Sequence, residues 1–258
     1  MTQRIFLSAL GLLLLIGLAF AADETPAPAA PAPAEPAPQS TPAQAVELIC
    51  PIDHQPISGW HIEAFATSGV DSDFCYLNAS ESYYQKLIAT CPNDGYTGYE
   101  DDFLPLLKNP LPAKVVEKIK VKLPKEFDLK KLEPWDRYAI LAQIYIWRGL
   151  PEKEIANAYL RATYTMRGLA LGRNEKKMEK ELRGQAIDYM EEAAAKAQFP
   201  LPDVPQVKYL IGDLYRRNGK FSKALRLYDD AAKMKNRPEW LDEMILRQKA
   251  RAYAYDDR

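Results

Sequence analysis

Histidine, cysteine and uncompensated charge are what this 258-residue chain has least of. Its only histidines are His54 and His61, so a Ser-His-Asp or Cys-His catalytic arrangement would have to pass through one of them. No glycine-rich phosphate loop is present. The 34 Lys and Arg face 35 Asp and Glu, so no single-sign field draws the chain to nucleic acid or to an anionic membrane. The three cysteines, Cys50, Cys75 and Cys91, are an odd number. In an oxidising compartment at least one thiol is then free, ligated or paired between molecules.

One long apolar run stands at the N-terminus. It extends from Ile5 to Phe20 behind the basic Arg4 and ends in Ala19-Phe20-Ala21. This is the pattern of a secretory signal peptide over residues 1–21, and the run is slightly short for a membrane span. An uncleaved anchor is the alternative. Residues 22–46 alternate Ala and Pro, a composition that builds no core and favours extended polyproline II, so they read as a disordered, semi-rigid linker. Signal and spacer together predict an exported protein, periplasmic or secreted, with no membrane span after cleavage.

Residues 47–112 carry short apolar runs broken by Gly, Pro, Ser and Asp. "GWHIEAFAT" and "YYQKLIATC" read as strands. Two stretches, "CPIDHQ" from Cys50 and "CPNDGY" from Cys91, each look like half of a zinc knuckle. The usual second thiolate is replaced in both, by Asp53 and by Asp94. A turn-rich unit this small has little core of its own and needs a metal or a disulfide.

From Ala113 the period becomes helical. Tyr138, Leu141, Ala142, Tyr145 and Ile146 fall on one helix face that Gly149 and Pro151 terminate. Ile155, Ala158, Tyr159, Ala162 and Met166 form a second stripe. Asn174 reads as the cap of a third helix, and Pro200, Pro202 and Pro205 as a break. "VKYLIGDLYRRNGKFSKALRLYDDAAKM" resembles a tetratricopeptide repeat. Gly212, Tyr215, Gly219, Ala224, Tyr228 and Ala231 stand at its small and aromatic positions. Trp135 to Met166 reads as a degenerate copy, and "EWLDEMILRQKARAYAY" as a terminal capping helix. The tyrosines at 138, 145, 159, 164, 209 and 215 either fill the core or line a groove.

The order Cys-Pro, "DSDFC", "CPNDGY", "EDDF" and "ANAYLRATYTMR" is similar to a bacterial family labelled domain of unknown function 2225, over Leu48 to the C-terminus. The resemblance implies a zinc-ribbon-like module joined to tetratricopeptide-like helices, and no reaction. The chain departs from the family's paired Cys-Pro-x-Cys at Asp53 and Asp94.

Three readings of the knuckles stay open. Cys50, Asp53, Cys91 and Asp94 bind zinc, with His54 a substitute for Asp53, although structural zinc sites are mostly Cys and His. Alternatively Cys50 and Cys91 form a disulfide, whose loop closure contributes roughly 4 kcal/mol; Asp53 and Asp94 then accept the knuckles' backbone N–H groups as Asx turns do. In the third reading Cys75 pairs with one of them, or all thiols are free. Cys75 follows Asp73, an acidic neighbour that works against a reactive thiolate. His61 and Glu63 form a possible acid/base pair on one strand face. Glu100 to Asp102 either holds a hard cation or is a solvated turn. The expectation is an α+β protein, a small zinc-ribbon-like β module over 47–112 followed by an all-α helical repeat domain over 113–258. Its expected role is non-enzymatic, binding a protein or peptide on the helical surface without a cofactor. The alternative is a zinc-binding protein or metal-dependent enzyme built on the ribbon.

Overall fold

A computed structural model describes residues 43–79, 83–103, 110–126 and 131–258. The expected signal peptide and nearly all of the Ala/Pro linker lie outside the described residues. Two β-hairpins organise the N-terminal part. β1 (Gln44–Ile49) pairs antiparallel with β2 (Pro56–His61), from Ile49 opposite Pro56 out to Gln44 opposite His61. Leu48 of β1 and Ile57 and Gly59 of β2 are buried, alternating with exposed neighbours, the period of a half-buried sheet. A side chain at Gly59 would start 2.4 Å from the Leu48 Cδ1 atom and 3.7 Å from the Ala89 Cβ atom, so its absence lets the hairpins approach. The short ribbon β3 (Gly69–Val70) and β4 (Tyr76–Leu77) and the single-turn helix α1 (Tyr83–Lys86) follow. β5 (Ile88–Thr90) then pairs with β6 (Thr97–Tyr99), which runs into α2 (Glu100–Phe103).

Both expected strands are shorter than their patterns. "GWHIEAFAT" is strand only as far as His61, because β1 supplies no partner beyond Gln44. "YYQKLIATC" coils into α1 before β5, because β6 has three residues and gives Tyr83–Lys86 nothing to pair with. The Tyr138 hydroxyl donates to the Tyr84 carbonyl oxygen in place of a ladder bond.

The remaining elements are helices: α3 (Ala113–Glu126), α4 (Pro134–Arg148), α5 (Glu152–Thr165), α6 (Arg173–Ala195), α7 (Val204–Arg217), α8 (Phe221–Ala232) and α9 (Trp240–Tyr253). Gly149 ends α4 in the left-handed conformation, φ +68°, as its position predicted. Asn174 does not cap α6: the helix starts one residue earlier, after Gly172, with no side-chain cap. The three prolines fall at the break between α6 and α7, as expected, with Pro200 just before a 3-10 turn. Pro202 sits in a 3-10 turn (Leu201–Asp203) and Pro205 in the first turn of α7, where its missing N–H costs nothing.

From α4 to α9 each helix packs on its neighbour in sequence. The described residues all lie in one compact unit. The hairpins do not have a core to themselves. Leu48, Ile52, Ile57, Ala89 and Tyr96 bury in the same cluster as Val115, Ile119 and Leu123 of α3 and Ile140 and Ile144 of α4. The mixed α+β class is as expected.

Candidate metal centre

Each hairpin turns through one of the two Cys-Pro stretches, and the two turns have matching hydrogen bonds. In the first, Cys50 N donates to the Gln55 carbonyl at 3.0 Å and His54 N to the Cys50 carbonyl at 3.0 Å. In the second, Cys91 N donates to Tyr96 O at 2.8 Å and Gly95 N to Cys91 O at 3.0 Å. His54 and Gly95 occupy the same place and both have positive φ, +59° and +77°. Asp53 Oδ1 accepts the Gln55 N–H at 3.1 Å, and Asp94 Oδ1 the Tyr96 N–H at 2.8 Å. These are Asx turns, the structural job expected of the two carboxylates.

The second oxygens reach across. Cys50 Sγ donates to Asp94 Oδ2 at 3.2 Å, while Cys91 Sγ lies 3.9 Å from Asp53 Oδ2. One donor atom from each of Cys50, Asp53, Cys91 and Asp94 lies within 4.8 Å of all the others. Both sulfurs and Asp94 are buried, and Asp53 closes the outer side. The two carboxylates differ in their surroundings. Asn93 Nδ2 donates to Asp53 Oδ2 at 2.7 Å, and that bond holds the Asp53 carboxyl below the usual range. Burial pushes the Cys50 thiol far above the ordinary range, and the nearby Asp94 carboxylate adds to it. Burial also raises Cys91.

All three cysteines are free and buried. Cys50 and Cys91, the expected disulfide partners, face each other. Cys75 packs in a different part of the core, with Tyr164, Tyr209 and Leu210. Its thiol is also raised, and the largest cause is burial rather than the acidic neighbours read from the sequence. His54, the proposed substitute for Asp53, is exposed and does not join the group of four.

The other expected sites resolve differently. His61 Nδ1 lies 2.8 Å from Glu100 Oε2 and Nε2 lies 3.5 Å from Glu63 Oε1, so a carboxylate occupies each ring nitrogen. Asp102 is not part of a solvated turn. It accepts the Tyr99 N–H at 3.0 Å and the Tyr145 hydroxyl at 2.5 Å, and pairs with Arg148 at 2.7 Å, which ties β6 to α4. At the repeat positions, a side chain at Gly212 would begin 3.0 Å from the Tyr228 ring, so the glycine sets the spacing of α7 and α8. Gly219 makes the turn between them at φ +73°, and Tyr215, Ala224, Tyr228 and Ala231 are buried.

One cluster had no counterpart in the sequence reading. Asp71 and Asp73, in the loop before Cys75, meet Arg167 after α5 and Arg217 of α7. Arg167 binds both carboxylates directly; Arg217 reaches Asp71 at 2.9 Å and Asp213 at 3.0 Å. Arg216 pairs with Asp213 at 2.9 Å, and Ser72 and Tyr228 donate to the same carboxylate. Three carboxylates and three guanidiniums thus balance, with Asp73, Asp213 and Arg216 fully buried and Asp71, Arg167 and Arg217 at the edge of the core. Its only sequence signal was an acidic loop and an Arg-Arg pair far apart in the chain.

Among the curated proteins and the solved structures, none matches the chain. A family model does match, over residues 48–254, from just before the first Cys-Pro turn to the end of α9. The chain therefore belongs to the family described as uncharacterized protein conserved in bacteria, DUF2225.

Proposed function

We propose that this is a metal-binding protein whose ribbon-like centre takes one divalent ion of the zinc class through Cys50, Asp53, Cys91 and Asp94. The observation that carries it is the convergence of those four donors within 4.8 Å. Donor atoms at the corners of a tetrahedral zinc site are about 3.3–3.8 Å apart, given Zn–S near 2.3 Å and Zn–O near 2.0 Å. The cross-pairs here, 3.2 and 3.9 Å, lie close to that spacing. All four positions are protein ligands, so none is left open for a substrate, and the ion's job in this reading is to fasten two hairpins that bury little of their own.

Zinc content of the reduced protein tests it. One ion per chain, and a thiolate-to-cobalt charge-transfer band when cobalt replaces zinc, are expected. A reduced chain that binds neither ion would overturn the reading.

A second reading concerns the helices. Ala194, Phe199, Leu201, Val207, Ile211 and Leu227 line an open apolar groove of about 460 Å³ beside Lys208. This supports the expected role as a scaffold that holds a protein or peptide, with α7 and α8 as a tetratricopeptide-like pair. The tyrosines do not line it; five of the six are buried. A screen of peptides against Leu201→Asp and the parent protein checks this: binding lost in the variant supports the groove, and binding unchanged removes it.

A further inference from the structure

The two sulfurs that would hold the ion are also the only pair of cysteines placed to bond to each other. We infer that Cys50 and Cys91 have two mutually exclusive end states, ligation to a divalent ion and a disulfide between them, and that the choice is made while the chain folds. The inference rests on the metal-binding reading above and adds its regulation.

The argument starts from distance. Both sulfurs belong to the group whose members lie within 4.8 Å of one another, and a disulfide needs them at about 2.05 Å. Cys75 lies in a separate part of the core, so once the hairpins have formed it is out of reach of either partner. The bond would consume both thiols and leave no anionic sulfur for an ion; a bound ion occupies both sulfurs and leaves none for exchange.

The carboxylates make both states compatible with one fold. Asp53 and Asp94 each use one oxygen on their own turn, at Gln55 and Tyr96, a bond in which neither sulfur takes part. Four thiols in the usual knuckle would allow three pairings in an oxidising medium, whereas two allow one. Both sulfurs are fully buried, at 0 % exposure, so an external oxidant meets them in the unfolded or folding chain rather than afterwards.

The oxidant is a low-molecular-weight disulfide. One protein thiol displaces a thiol from it and forms a mixed disulfide; the second protein thiol displaces the other. Two protein thiols become one disulfide, and the small disulfide becomes two small thiols, which take up the two hydrogens.

The experiment refolds the full reduced chain in a glutathione redox buffer, with a chelator or with one equivalent of zinc, and maps the linked peptides by mass spectrometry. The chelator arm should yield the Cys50–Cys91 peptide, and the same peptide from a Cys75→Ser variant. The zinc arm should lower its yield roughly tenfold or more, because ligand binding withdraws the reactive form by mass action. The disulfide-linked product, given cobalt, should show no charge-transfer band. Equal yields in the two arms, when the reduced chain binds zinc, would sink the exclusivity alone. Links that involve Cys75 as the main product of the chelator arm would show that Cys50–Cys91 is not the oxidised end state and would overturn the inference. Failure of the reduced chain to bind zinc at all would remove the metal reading and this inference with it.

Discussion

Asp53 and Asp94 do two jobs each, with one oxygen on the backbone of their own turn and the other facing the opposite cysteine. That division gives unequal expectations for the two residues. Asp94 is buried and points at Cys50 from 3.2 Å, while Asp53 shares its second oxygen with Asn93. Asp94→Ala should therefore weaken zinc binding more than Asp53→Ala. The double change to Cys at 53 and 94, which restores four soft donors, should tighten it by about tenfold or more. Competition with a chromophoric chelator reads both. Binding should also weaken as pH falls, because the ion must displace protons from two thiols whose affinity for them is raised by burial. Gly212 tests the helix pair in the same way. Gly212→Leu must push the Tyr228 ring from a 3.0 Å approach and should cost about 1–3 kcal/mol, whereas Lys208→Ala, on the groove, should cost little. Urea midpoints decide between them.

The element that joins the acidic loop to α7 is the charge cluster around Asp71, Asp73 and Asp213. Burial alone would raise the carboxyls of Asp71 and Asp213, but Arg217 with Arg167 or Arg216 outweighs it and both end below their ordinary values. A carboxyl depressed on folding adds stability above its unfolded value, about 3.9, and loses it as pH falls through the folded one. Acid unfolding should therefore set in below about pH 4. Arg217→Met leaves Asp213 and Asp71 with a missing partner and should cost about 3–5 kcal/mol at neutral pH. It should also move the acid transition upward, measured by circular dichroism across pH. A variant that unfolds like the parent would show that the cluster contributes nothing net.

At the scale of the molecule, the N-terminal hairpins and the helices share buried surface. Ile119 and Leu123 of α3 and Ile140 and Ile144 of α4 pack against Leu48, Ile57 and Tyr96. A fragment starting at Ala113 would present that face to water. It should bind a hydrophobic dye and melt well below the full chain, where a self-sufficient helical array would melt like the parent. Chelator added to the zinc-loaded protein should lower the melting temperature of the whole chain in one transition, because the centre lies inside the shared core.

Local pattern in the chain was enough for the helices from α4 onward, for the stop at Gly149, for the small-residue contact at Gly212 and for the pairing of two Cys-Pro turns. Each depends on residues close in sequence or on a repeating period, and physical chemistry acts on those without knowing the fold. The ends of β2 and β5 were not legible, because a strand stops where its partner stops, and the partner's length is set elsewhere. Nor was the exclusion of His54, since it depends on which side of the turn faces the second hairpin. The role of Asp102 and the cluster of Asp71, Asp73, Arg167 and Arg217 were hidden for the same reason. Charges more than ninety positions apart meet only after the helices have stacked, and only the tertiary structure, by burying them together, decides that they become partners rather than solvated surface.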